Sequence, residues 1–454
     1  MSLRQAAPRF RVAAIELLER DVRLRMPFRF GVVTLTESPQ AFVRARIRLE
    51  DGREAAGAAA ELLAPKWFDK DPALTNEDNV DQLRASLARA RETYLAHEPR
   101  TAWAHSAPGR GLVENYGPAL LDRALLDALC RALGVSFYRA VQGNLVGAGS
   151  FEGLDLGAFC ATLRPRASIA ARHTVGLVDP ISAADQKERV GDGLPETLEE
   201  VVARYGQRYF KLKVGGDARA DLERLCAIAA VLDRIPEPYH ASLDGNEQYG
   251  DMQGVAALWA RMKGEVRLAR LVDSILFIEQ PVKRQVALER PVAGIDKPVI
   301  IDESDDALDA FPRAKALGYR GVSSKTCKGL YKSIVNRARC AAWGEGYFMS
   351  GEDLTIQAGL ALQQDTALVS LLGLTHLERN GHHYVNGMAG LPQGEQDAFL
   401  AAHTDLYERS HGAVRVKIAD GMLAIGSLDC PGYASGAMPD WRSMHEMKLQ
   451  KASA

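Results

Sequence analysis

The sequence predicts an α/β barrel, a (β/α)7–8 barrel of the TIM type, joined to a smaller α+β N-terminal region. Three observations carry this. From about residue 168, short β-rich runs alternate with helical stretches of about 10–20 residues, the texture of βαβ units around a parallel sheet. Eight such runs fit into about 210 residues, which suits an eight-stranded barrel. Five consecutive runs end in a charged side chain, and a barrel of this type places its site at the strands' C-terminal ends.

The elements follow in order. Residues 10–16 and 41–49 alternate apolar and polar positions, and Asp51-Gly52 is a hairpin turn signal. Residues 75–97 and 114–133 read as helices; in the second, Ala124, Leu125, Ala128, Leu129 and Ala132 recur at helical spacing, and Gly134 is a good C-cap. The Gly-rich stretch 143–156 reads as a linker. The eight predicted barrel strands are residues 172–178, 209–214, 241–244, 275–279, 299–303, 321–325, 347–352 and 374–378, with helices over 198–204 and 221–232. In the tail, residues 413–418 and 422–425 flank Ala419-Asp420-Gly421, a second hairpin signal, and are expected to pack on the N-terminal region. The expected units are 1–150, 165–390 and a returning segment 391–454.

A chain of 454 residues with 47% hydrophobic content has room for two domains and a large core. Its formal net charge of -2, with no basic run, leaves no nucleic-acid footprint. The six cysteines have no paired CxxC spacing and read as reduced intracellular thiols rather than disulfides or a zinc site. The first thirty residues mix Arg and Glu with apolar residues, unlike a signal peptide, and no run approaches the ~18 apolar residues of a membrane span. A cytoplasmic protein is expected. The opening Met1-Ser2-Leu3 carries no weight.

Burying a charge is costly unless it is paired or bound to a metal. Asp244, Glu279 and Asp302 end the third, fourth and fifth strands and are neighbours round the rim. Three hard oxygen ligands with open positions suit Mg²⁺, for which Mn²⁺ can substitute. A salt-bridged interior without metal fits less well, because barrel interiors are filled by Val, Ile and Leu. Alternation puts Lys211 and Lys213 on one side of the second strand. Lys325 ends the sixth strand, four away in an eight-strand ring, so Lys213 and Lys325 face each other. A cation and a neighbouring lysine are expected to lower a lysine's pKa and let it act as a base. Loss of an α-proton from a metal-held carboxylate gives an enediolate whose charge the metal neutralises.

These residues resemble the enolase superfamily, in its muconate-lactonizing-enzyme subgroup. The resemblance rests on Lys211-Leu212-Lys213, on Asp244, on Glu279 in Ile278-Glu279-Gln280-Pro281, on Asp302 in Asp302-Glu303-Ser304 and on Lys325. It implies an α+β domain, formed by the N-terminal region and the tail, that caps the barrel. It further implies one Mg²⁺ per subunit, a small-molecule carboxylate substrate, a homo-oligomer, Lys213 and Lys325 as acid and base, and Lys211 supporting Lys213 and touching the substrate carboxylate. Specificity segments are expected near residues 26–34 and 61–68, where Phe28, Phe30, Trp67 and Phe68 could line the substrate side chain. Opposed lysines favour a racemase or epimerase. A cycloisomerase or a syn-dehydratase would use the same parts. A catalytically silent metal-binding barrel, or a hydrolase using Glu352 and Glu378, are the readings from other classes.

The chain departs from the resemblance in two places. Many amino-acid and dipeptide epimerases of the family carry Asp-x-Asp after the eighth strand to hold an ammonium; Leu377-Glu378-Arg379-Asn380 stands here and speaks against a free α-amino substrate. The seventh strand ends Gly351-Glu352-Asp353, without the histidine of the mandelate-racemase and sugar-acid-dehydratase branches. His173, His376, His382 and His383 are expected to be structural, although His382 and His383 follow the eighth strand and could touch substrate, as could Glu352 and Glu378 at the ends of the seventh and eighth strands. Glu303 is the second choice as a ligand, since it points away from Asp302 in an extended strand. Lys328 and Lys332 are expected to be solvated on the next helix. Residues 179–193 form a long connection, either a lid or a surface insertion.

Overall fold

Apolar–polar alternation running far beyond residues 10–16 builds a long antiparallel hairpin in the computed structural model, which describes residues 6–31 and 33–449. Strand Phe10–Phe30 pairs with Val33–Leu49, with Phe10 opposite Leu49. The turn at Asp51-Gly52 leads into a third strand, Glu54–Leu62. Its middle, residues 55–60, is all alanine and glycine, and a helix lies close on it. A Cβ at Gly57 would stand 2.1 Å from the Ala128 backbone nitrogen of helix Leu112–Leu133. Helix Asn76–Ala96 packs on the same helix and starts from a capping box in which Thr75 and Asp78 bond each other's backbone.

The eight barrel strands are Ser168–Val175, Tyr209–Lys213, His240–Asp244, Ile275–Glu279, Val299–Ile301, Gly321–Ser324, Phe348–Gly351 and His376–Glu378. All run parallel to their neighbours, and pairing of the eighth with the first, His376 opposite Ala170, closes the ring. The first strand begins four residues earlier than the sequence predicts and ends at Val175. Segment 143–156 holds a small pairing of Ser150–Phe151 with Leu154–Asp155.

The tail departs from expectation in its pairing. Ala413–Val416 pairs with Tyr407–Ser410, and Met422–Ala424 adds antiparallel to Ser168–Ala170 of the first barrel strand. The Asp420-Gly421 turn therefore redirects the chain on to the barrel rather than closing a hairpin of the two predicted strands. His445–Glu446 then pairs with Leu18 and Glu19 of the long hairpin. All six cysteines are free thiols. Among the described residues no helix is long and apolar enough to cross a membrane. Met1-Ser2-Leu3 lie outside the described residues.

Candidate active site

Register brings the charges to one level. Lys213 lies opposite Asp244 on the next strand, and Asp244 opposite Glu279 on the one after. Alternation turns Lys211 and Lys213 into the barrel, and both are buried, as are Asp244, Glu279 and Asp302. Lys211 is the hub. Its Nζ donates to Glu352 Oε2 at 2.6 Å, Glu279 Oε1 at 3.0 Å and Glu378 Oε2 at 3.2 Å, and lies 2.9 Å from Asp244 Oδ2. Lys213 Nζ donates to Asp244 Oδ2 at 2.5 Å and to Asn246 Oδ1 at 2.6 Å.

Asp302 is oriented by its neighbours. The fifth strand ends at Ile301, and the side chain of Gln280 takes over its hydrogen bonding, accepting from the backbone nitrogens of Asp302 at 2.8 Å and Ser304 at 3.1 Å. Lys325 Nζ donates to Asp302 Oδ2 at 2.7 Å, Lys328 Nζ to Oδ1 at 3.1 Å, and the Ser323 hydroxyl also donates to Oδ1. Deeper in the barrel, Arg172 on the first strand pairs with Glu352.

The electrostatics follow from this interleaving. Burial works to lower the pKa of Lys211, but Asp244, Glu279, Glu352 and Glu378 more than offset it and hold the ammonium well above the usual lysine range. Lys325 is likewise raised: burial works against its charge and Asp302 favours it. Burial would raise Asp302, but Lys325 and Lys328 hold it well below the carboxylate range; burial likewise works to raise Asp244, and Lys211 and Lys213 outweigh it and lower that group. Glu279 goes the other way, raised by burial and by Glu352, with Asp244 and Asp302 adding to it. The lowered lysine pKa expected from sequence is thus reversed at Lys211 and Lys325.

This donor set has the chemistry of a hard-cation site. Three carboxylates stand on adjacent strand ends, and buried Glu279 Oε2 accepts no hydrogen bond, meeting Lys211 Nζ only as an ion pair at 2.9 Å. As the side chains stand, no three acidic or histidine groups among the described residues converge at ligand distance. The reason is on view: ammonium groups lie between the carboxylates. A divalent cation held by Asp244, Glu279 and Asp302 would have to displace them.

Above the charges lies a pocket roofed by the cap. Phe28, Phe30 and Trp67 face Lys213, Lys325, Glu378 and Asn380. The Trp67 ring covers Lys325, with Nζ 4.3 Å from its centroid, a cation–π contact.

A model of the enolase C-terminal domain-like family matches residues 193–432, the barrel from ahead of its second strand onward and part of the tail. The chain belongs to the enolase superfamily. Among solved structures it is similar to the L-Ala-D/L-Glu epimerase from Bacillus subtilis, at 15% identity and a TM-score of 0.62, over 94% of this chain and 99% of that one. It is similar to the muconate lactonizing enzyme from Pseudomonas fluorescens, at 18% identity and a TM-score of 0.62, over 95% and 98%. The 2-chloromuconate cycloisomerase from Rhodococcus opacus 1CP gives the same 18%, 0.62 and coverage of 95% and 98%. At these identities the likeness is one of fold. No curated protein matches the sequence.

Within this superfamily barrel, several residues lie elsewhere than the sequence suggests. Phe68 stands behind the roof, its ring 4.8 Å from Trp67 and 5.1 Å from Tyr116. His382 and His383 are buried in a cluster with His173, at ring separations of 5.4 and 4.9 Å, and are not among the residues lining the pocket. Glu352 lies beneath Lys211, bonded to Arg172 and Ser350, whereas Glu378 reaches the pocket. Lys328 and Lys332 are not solvated. Turn Thr326–Lys328 folds the first back on to Asp302 and Ser323, and the second donates to the Asp305 carbonyl. Glu303 is turned away from Asp302, toward Asn246 and Lys70. Sequence reasoning missed Arg172, Asn246 and Lys70. Arg172 alone carried a signal, a charge inside an apolar strand. Segment 179–193 is tied to the cap by a bidentate Arg25–Asp192 pair at 2.6 and 2.7 Å.

Proposed function

We propose that the protein is an enzyme that moves the α-proton of a small carboxylate between two lysines, a racemase or epimerase. The observation that carries this reading is the placement of Lys213 and Lys325. They line one pocket from strands four apart in the ring, each beside a carboxylate of the candidate metal set. Bound by Asp244, Glu279 and Asp302, Mg²⁺ would supply positive charge against the second negative charge that α-proton loss places on a carboxylate.

This chain's own residues do the rest. One of Lys213 and Lys325, as the free amine, takes the α-proton from one face of the substrate's Cα, and the other, as ammonium, gives a proton of its own to the opposite face. Asp302 keeps Lys325 as ammonium, ready as an acid, and drawing Asp302 away would favour the free amine; Lys213 has Asp244 as its neighbour in the same way. Lys211 keeps positive charge at the floor, and Phe28, Phe30 and Trp67 shut out water. Glu378 is saturated, accepting from Thr174, Asn380, Lys211 and the Asp353 backbone nitrogen, and has no capacity left for a substrate ammonium. That speaks against an ammonium held by Glu378 and favours a substrate whose α-substituent is uncharged.

The test is deuterium incorporation at Cα in heavy water, with Mg²⁺, across N-acyl amino acids, dipeptides, muconates and sugar acids. Lys213→Ala should stop exchange of one enantiomer and Lys325→Ala that of the other, each by about a hundredfold or more. Racemisation retained in both variants would sink the two-base reading. A cycloisomerase or syn-dehydratase would show instead as ring closure or loss of water. Turnover persisting in EDTA would favour a hydrolase.

A further inference from the structure

A further lysine reaches the site from the cap, and the chemistry above does not use it. Lys70 follows the segment that carries Trp67. Its Nζ donates to the Asn246 carbonyl at 2.9 Å and to Glu303 Oε1 at 3.0 Å, and pairs with Glu247 Oε2 at 2.6 Å. Glu303 and Glu247 are both buried. Asn246 Nδ2 also donates to Glu303 Oε1, at 3.2 Å, which leaves its Oδ1 to accept from Lys213 Nζ at 2.6 Å. On the far side, Arg284 grips both oxygens of Glu247 at 3.0 and 2.9 Å and donates to the Phe68 and Trp67 carbonyls at 2.9 and 3.2 Å.

The turn at the centre is under strain. Asn246 and Glu247 have φ of 39° and 68°, a left-handed backbone that persists in non-glycine residues only where the surroundings impose it. Here Lys70 grips the Asn246 carbonyl, and Arg284 with Lys70 grips the Glu247 side chain. Without Lys70, two buried carboxylates lose a shared cation, and removing one partner of a buried ion pair is far costlier than never having had it. The turn is then free to relax and carry Asn246 Oδ1 away from Lys213. Lys325, held by Asp302 on the opposite side, makes no hydrogen bond or ion pair with this network and meets it only through the Trp67 ring, 4.3 Å from its Nζ.

We propose that Lys70 is a positioning residue: seating of the cap segment that carries Trp67 locks Asn246, and Asn246 aims Lys213. Closure of the roof and orientation of one of the two bases are then a single event. The proposal rests on the reading of Lys213 as an acid/base group.

The test uses the Mg²⁺-loaded protein and both enantiomers of N-acetylleucine, or of whichever carboxylate in the panel above the wild type exchanges. Lys70→Met should slow deuterium exchange of the enantiomer that depends on Lys213 by about tenfold or more, as loss of a buried charge-assisted contact does, and leave the Lys325-dependent enantiomer within about threefold. Lys70→Arg should restore part of the lost rate. Equal loss on both faces, or none on either, would overturn the proposal. Backbone hydrogen exchange over residues 63–75 gives a second readout without turnover: Lys70→Met should speed it by about tenfold, and unchanged protection also overturns the proposal. If the wild type exchanges no carboxylate, the reading of Lys213 fails by itself and the cap clamp is judged on protection alone.

Discussion

Asp244 sits against Lys211, Lys213 and the Asn246 backbone nitrogen, and its charge matters more than its shape. A cation that binds only the folded chain stabilises it by about 2.7 kcal/mol at a hundred times its Kd. Mg²⁺ should therefore raise the thermal midpoint of the wild type, and EDTA should reverse the rise. In Asp244→Asn the baseline itself will drop, because Lys213 loses its carboxylate partner, whereas in Glu279→Gln Lys211 keeps Asp244, Glu352 and Glu378. The quantity to compare is the Mg²⁺-induced shift, which should vanish in both. A full shift in either variant would remove that residue from the ligand set. The residues of this cluster were legible in the sequence because a charge at the end of an apolar strand needs an explanation. Lys328 and Lys332 were misread by the same logic run in reverse: after a strand, a lysine on a helix is ordinarily solvated, and nothing local shows that turn Thr326–Lys328 folds one beneath Asp302. Lys70 and Asn246 were illegible because their partners come from distant parts of the chain.

At the scale of elements, the connection 179–193 and the cap hairpin are held as one. Arg25 is buried, pairs with Asp192 through two nitrogens, and donates to the His383 carbonyl at 2.8 Å and to the Pro195 carbonyl at 3.1 Å. Arg25→Ala strips a bidentate pair and two carbonyl bonds from one place, a loss of about 2–3 kcal/mol locally after discounting for the partly exposed carboxylate. Protease cleavage within 179–193 should rise by about tenfold or more, while hydrogen exchange in the barrel strands stays unchanged. An unaltered cleavage rate would show that other contacts hold the connection. The same hairpin marks where element prediction ran out. Its ends alternate cleanly, but its middle is rich in charge: Glu19 pairs with Arg84, Arg20 with Glu395. Those partners lie far off in sequence, so a buried strand reads as a polar stretch. The barrel strands were plain because their apolar runs alternate with helices. The strand Met422–Ala424 was found, but its partner was not, since nothing in a short apolar run names the strand it will pair with.

At the scale of the whole molecule, cap and barrel share one apolar core and are also joined by a seam of polar contacts that includes Glu61. From the cap strand Glu54–Leu62 it accepts from Arg123 at 3.0 Å and from the hydroxyl of Thr326 at 3.1 Å, next to Lys325 on the barrel, while Arg123 also reaches Gln364 of the barrel at 3.3 Å. Burial pushes the Glu61 carboxyl up from 4.5 to about 7, with Arg123 opposing and Asp365 adding to the rise. A folded-state pKa above the unfolded one means that the folded chain holds the proton more tightly. The stability this brings is complete below about pH 4.5 and is lost as pH rises through about 7. Over that interval the loss is on the order of 3 kcal/mol. Glu61→Gln keeps the size and an acceptor for Thr326 but cannot titrate. Its effect on Arg123 adds an offset that does not depend on pH in this range. The difference in unfolding free energy between wild type and Glu61→Gln, measured by denaturant titration, should therefore move against the wild type from pH 4.5 to 7 and level off above. Other groups in the seam, such as Asp122, raised by burial to about 7, titrate in both proteins and cancel from the difference. A flat difference would mean that water reaches Glu61 across the seam, and that cap and barrel are less tightly closed than their hydrogen bonds suggest.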